Sequence, residues 1–150
     1  MKSAFFVLAL CACGSGTADT SFKSGNGTIK ITSPTNNSMV TATAMAPDVD
    51  VGFTVTGFTL KDPATKTCGT MPSCGHVHIL IDGTACNDKD AAGPYNADGF
   101  VSPITGGFDY CAKLTGTHVI SAELHNDDHS NYTAPGSSTV VSDTVTITVP

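Results

Sequence analysis

Arginine and tryptophan are both absent from this 150-residue chain, and Glu123 is its sole glutamate. Without arginine there is no forked guanidinium to grip phosphate in two places. Seven lysines stand against thirteen acids, a formal net charge of −6, so no basic stripe is available either. Nucleic acid is therefore not an expected partner, and phosphorylated ligands are disfavoured for the same reason. The lack of tryptophan, with only three tyrosines, removes the usual aromatic platform for sugars. Apolar residues do not recur at helical spacing, and no apolar run approaches the roughly 20 residues that a membrane-spanning helix needs.

What is present begins at the N-terminus. Lys2 precedes the apolar run Ala4-Phe5-Phe6-Val7-Leu8-Ala9-Leu10, which is short enough to be a signal and too short to be an anchor helix. The run leads into Leu10-Cys11-Ala12-Cys13-Gly14, which resembles a bacterial lipobox: Leu10 and Ala12 match the positions ahead of the modified cysteine, while Cys11 between them is unusual. The resemblance implies that residues 1–12 are a lipoprotein signal peptide, that Cys13 is lipidated, and that the protein sits in a bacterial cell envelope. There the lipid anchor would hold it to a membrane on the extracytoplasmic side. Lipidation at Cys11 fits poorly, because bulky Leu10 would then flank the cut. An ordinary signal peptide cleaved near Ala18 is the alternative. Residues 13–27, ending in a stretch rich in Gly, Ser, Thr and Asn, read as a flexible tether.

Residues 28–150 are long enough for one domain with its own core. Val, Ile, Thr and Phe alternate there with polar residues in short runs bounded by Gly, Pro, Asn and Asp. This is an all-β pattern. The expected strands are 28–32, 39–43, 48–56 continuing at 58–61, 75–81, 108–114, 117–125 and 140–149. About seven strands in a chain of this size predict an immunoglobulin-like antiparallel β-sandwich. Residues 87–107, dense in Asp, Asn, Gly, Ala and Pro, are expected to form one long irregular segment. Cys68, Cys74, Cys86 and Cys111 complete an even cysteine count in the exported domain, which points to disulfides. The favoured pairing is Cys68 with Cys74, closing a small loop, and Cys86 with Cys111. A thiolate zinc site is the other reading of these cysteines, but their spacing matches no zinc pattern.

All five histidines fall in two places, His76 and His78 on one expected strand and His118, His125 and His129 along and just past another. Strand residues two apart share a face, so His76 and His78 project together while Val77, Ile79 and Ile81 point into the core. On that basis the pair is expected outward or at the rim. On the second strand the inward set is Ile120, Ala122 and Leu124. If the two strands pair antiparallel, His76 and His78 meet His125, Asp127, Asp128 and His129, whereas His118 falls at the opposite end near Asp82. Imidazoles converging in this way suit copper or zinc, and copper is preferred because no thiolate is at hand. The expected ligands are His76, His78 and His129, with His125 or an adjacent Asp completing the set.

The segments Gly75-His76-Val77-His78-Ile79-Leu80-Ile81-Asp82-Gly83, Gly116-Thr117-His118-Val119-Ile120 and Leu124-His125-Asn126-Asp127-Asp128-His129-Ser130 resemble, in that order, a group of bacterial periplasmic and lipoprotein β-sandwich domains of unknown function. The resemblance spans roughly residues 50–150. It implies that His76, His78, His118 and His129 are shared positions and that His125 is particular to this chain, and it supplies no reaction. His76-Val77-His78 is also similar to the copper strand of copper–zinc superoxide dismutase, but that family's further histidine close behind the pair and its arginine have no counterpart here.

Other chemistry finds little footing. There is no Gly-x-Ser-x-Gly turn, and a glycosidase would have to draw its acid from the aspartates. Asp88-Lys89-Asp90-Ala91-Ala92-Gly93 begins like a calcium loop, but Ala92 and Gly99 stand where ligands belong. The triplets at Asn26, Asn36 and Asn131 fit N-glycosylation, which the bacterial reading of the N-terminus makes unimportant. With no catalytic constellation legible, the chain is expected to be a metal-binding module and not an enzyme. A structural or adhesive surface module is the alternative, and a copper-dependent oxidoreductase the third.

Overall fold

A computed structural model describes residues 25–41, 49–83, 97–104 and 115–150. No helix occurs among the described residues, and eight strands do: β1 (Thr28–Ser33), β2 (Ser38–Met39), β3 (Gly52–Thr56), β4 (Thr59–Leu60), β5 (Cys74–Ile81), β6 (Ala97–Gly99), β7 (Gly116–Asn126) and β8 (Ser142–Val149). The protein is all-β, as expected. Cys13, the signal segment, Cys86, Cys111 and the strand expected at 108–114 lie outside the described residues.

Two sheets form. β1 and β3 make an antiparallel pair, and the larger sheet runs β2-β8-β7-β5-β4 with β6 also paired to β5. The long pairings, β5 with β7 and β7 with β8, are antiparallel. The short ones differ from the expectation of a purely antiparallel sheet, because β2 runs parallel to β8 and β4 parallel to β5. β6 and Ile104, which bridges to Val51, fall inside the segment expected to be irregular. Ala97-Asp98-Gly99 contains no β-branched or aromatic residue, so nothing in its sequence signals a strand.

Alternation selects the core. Ile29 and Ile31 of β1, Phe53 of β3, Val77, Ile79 and Ile81 of β5, Ile120, Ala122 and Leu124 of β7, and Val145, Ile147 and Val149 of β8 form one buried cluster shared by both sheets. Each buried side chain of this size contributes about 1.5–3 kcal/mol by leaving water. Tyr132 joins the cluster and is fully buried. Its ring meets Phe58 edge-on at 4.6 Å, its hydroxyl accepts a hydrogen bond from the Gly27 amide at 3.0 Å, and it lies 2.9 Å from Ser73 Oγ. Gly27 is itself buried, so the folded body begins before Thr28 and includes the last residues assigned to the tether.

The Cys68–Cys74 disulfide forms, with both half-cystines buried. It fastens the turn-rich segment 61–73 to the start of β5. The Cys68 amide also donates to Asp127 Oδ2 at 3.2 Å, which links this segment to the turn after β7.

Candidate metal centre

The register of β5 against β7 builds the site. Gly75 faces Asn126, His76 faces His125, Val77 faces Leu124 and His78 faces Glu123. A side chain at position 75 would run into the His125 carbonyl oxygen, so only glycine lets the two strands approach here. Immediately beyond β7 the chain turns back on itself. The His129 amide donates to the Asn126 carbonyl at 3.0 Å, and the Asn126 amide to the Ser130 carbonyl at 2.8 Å. Asn126 Nδ2 donates to Ser130 Oγ and to the Asn131 carbonyl, and Asp128 Oδ1 accepts from the Ser130 amide. This bonding holds His129 in the left-handed region, at φ 64°, an uncommon conformation for a residue with a side chain. The turn thereby carries the His129 ring over His76 and His78.

Three nitrogens converge. His76 Nε2 lies 2.8 Å from His78 Nε2 and 3.1 Å from His129 Nδ1, and His78 Nε2 lies 3.2 Å from His129 Nδ1. These residues form a group able to hold a metal ion, two of them buried and His129 exposed. The closeness has a chemical consequence. Each ring nitrogen presents either a proton or a lone pair, so in any assignment over three mutually touching nitrogens at least one contact sets like against like. A cation facing three lone pairs removes that conflict.

Burial favours the lone pairs. The His76 pKa is lowered to about 4, first by burial and then by the nearby His129 and His125 rings, while Asp127 and Asp128 work weakly the other way. That of His78 is lowered to about 2, again chiefly by burial and then by His125, His76 and His129. Both rings therefore stay neutral at pH 7, so each keeps one nitrogen lone pair free of a proton for a metal. His76 Nδ1, on the far side of its ring, is buried with no hydrogen-bond partner among the described residues, and so is Asp127 Oδ1.

The sequence expectation of an outward or rim position for His76 and His78 is corrected here: they are 0% and 1% exposed. Alternation correctly puts them on the face opposite Val77, Ile79 and Ile81, but that face is covered by the turn carrying His129 and by the His125 ring. His125 takes a different place from the fourth-ligand position expected of it. Its ring stacks on His78 at a centroid distance of 3.7 Å and an interplanar angle of 20°. Its Nδ1 lies 3.1 Å from the His129 carbonyl and its Nε2 3.2 Å from Glu123 Oε2, so both nitrogens are occupied in holding the site's frame.

His118 stands at the other end of the sheet, as expected. Its Nδ1 lies 2.8 Å from Asp82 Oδ2, and Asp82 Oδ1 accepts from the Val119 amide at 2.8 Å. These bonds from His118 and the Val119 amide hold the Asp82 carboxyl below the usual carboxylate range against the opposing effect of its partial burial. His118 is a strand-end clasp and takes no part in the cluster.

Compared with protein-family models, curated proteins and solved structures, the chain matches none of them.

Proposed function

We propose that this protein is a lipid-anchored, extracytoplasmic immunoglobulin-like module of a bacterial envelope that binds one transition-metal ion through His76 Nε2, His78 Nε2 and His129 Nδ1. The observation that carries this reading is the triangle of three imidazole nitrogens, 2.8 to 3.2 Å apart, in which at least one contact sets like against like and which a cation would relieve. Copper is preferred to zinc. The donor set is imidazole only, both half-cystines of the nearby disulfide are withdrawn from ligation, and copper heads the divalent series for nitrogen donors.

The immunoglobulin-like reading is supported by two sheets sharing one core, and by a first segment that serves both, β1 in the small sheet and β2 in the large one. The anchor rests on Leu10-Cys11-Ala12-Cys13 alone. In that setting the protein's role is capture or buffering of metal at a membrane surface. The test is copper and zinc titration of the purified protein by calorimetry, with wild type against His78→Ala and His129→Ala. One ion per chain, lost in both variants, is the expected result. Equal behaviour of all three proteins would leave a structural or adhesive module as the better reading.

A further inference from the structure

Resting on the metal site just proposed, we infer that the ion keeps an exchangeable coordination position, open to solvent, that takes a small single-atom donor such as water, hydroxide or an inorganic anion. The spacing of the nitrogens carries this. With metal–nitrogen bonds of about 2.0–2.1 Å, a flat three-coordinate ion needs its nitrogens about 3.5 Å apart and a tetrahedral one about 3.3 Å. Nitrogens 2.8, 3.1 and 3.2 Å apart are closer than either, nearer the tetrahedral spacing than the flat one, so an ion bound at such lengths would sit to one side of their plane. The hemisphere beyond must be filled by something else.

No other His, Cys, Asp or Glu among the described residues brings a donor atom into the converging group. The stacked His125 ring directs its nitrogens to Glu123 and to the His129 carbonyl. Asp127 Oδ2 accepts from the Cys68 amide while its Oδ1, buried with no hydrogen-bond partner among the described residues, lies outside that group, and Asp128 Oδ1 accepts from the Ser130 amide and hydroxyl. His76 and His78 close the inner side, whereas His129 is the exposed member of the group, so access from solvent runs past its ring. Two buried ligands and one exposed ligand make a one-sided site. A site with three protein ligands and an open position is the arrangement in which a metal exchanges ligands, in contrast to a closed four-ligand structural site.

The test uses Co(II), whose visible bands report coordination number and geometry. The full chain is loaded with one equivalent of Co(II) and titrated with azide, with His118→Ala as a control outside the site. The expected result is a saturable shift of the Co(II) bands through isosbestic points, the same in both proteins, with Co(II) still bound at one per chain. A Co(II) spectrum that excess azide leaves unchanged overturns the open position while the metal site stands. Failure to take up Co(II) at all overturns both.

Discussion

Without metal, this protein should lose stability steeply as the pH falls from neutrality to about 4. The cause is His76 and His78, both inaccessible to solvent, with pKa values lowered to about 4 and about 2 from an ordinary 6.5. In the unfolded chain both rings bind a proton below pH 6.5, and in the folded protein neither does until the lowered values are reached. The unfolded state therefore holds more protons across this window, and stability rises with pH there. Each group contributes about 1.4 kcal/mol per pH unit, so the two together remove about 5 kcal/mol between pH 6.5 and 4.5. That is comparable with the whole stability of many domains, about 5–15 kcal/mol. Asp82 and Asp143, whose carboxyls are held below their usual value, act in a separate window: their contribution is present above it and is lost only as the pH falls further. Urea unfolding at pH 7.5, 6.5, 5.5 and 4.5 in the presence of a chelator measures the slope. His76→Gln should reduce the loss by about half, since one of two titrating groups is gone. A wild-type loss below about 1 kcal/mol over the window would refute the reasoning, because rings that protonate freely in the folded state give no slope.

Other outcomes follow from the same contacts. His129→Ala should fold, because His129 is exposed, yet lose the thermal stabilisation that metal gives wild type, about 2.7 kcal/mol at a free metal concentration 100 times Kd; differential scanning calorimetry with and without metal reads this. Gly75→Ala should abolish metal binding and lower the melting temperature sharply, since β5 and β7 cannot keep their approach with a side chain against the His125 carbonyl; circular dichroism and metal titration together check it. Tyr132→Phe leaves the buried Gly27 amide without its acceptor and should cost about 1–3 kcal/mol by urea unfolding, with the metal stoichiometry unchanged. His118→Ala should likewise leave metal binding intact, its effect confined to the Asp82 turn.

The parts of the site legible in the sequence are those that depend on strand period and pairing. Val77, Ile79 and Ile81 opposite His76 and His78, and Ile120, Ala122 and Leu124 inward on β7, follow from alternation alone. Antiparallel adjacency then brings His125 and His129 to the pair and sends His118 to Asp82. Other features are out of reach of such patterns. Alternation names a face but not what covers it, so the burial of His76 and His78 depends on the turn at 126–131, whose path is set by hydrogen bonds among its own residues that strand period does not encode. Adjacency puts His125 beside the pair, but its stacking on His78 and its bonds to Glu123 and the His129 carbonyl leave no mark in residue spacing. Tyr132 gave no signal either, since a single aromatic residue in a polar stretch has no period. The parallel β2 and β4 pairings are two residues long each, too short for any pattern.

The central claim is that His76, His78 and His129 hold one metal ion. Its most direct test is a crystal structure of the metal-loaded protein with anomalous data collected at the absorption edge of the added copper or zinc. The account predicts a single strong anomalous peak at bonding distance, about 2.0–2.1 Å, from His76 Nε2, His78 Nε2 and His129 Nδ1, with a non-protein ligand on the solvent side. No peak among these rings, or a peak elsewhere with the three nitrogens still in mutual contact, would contradict it.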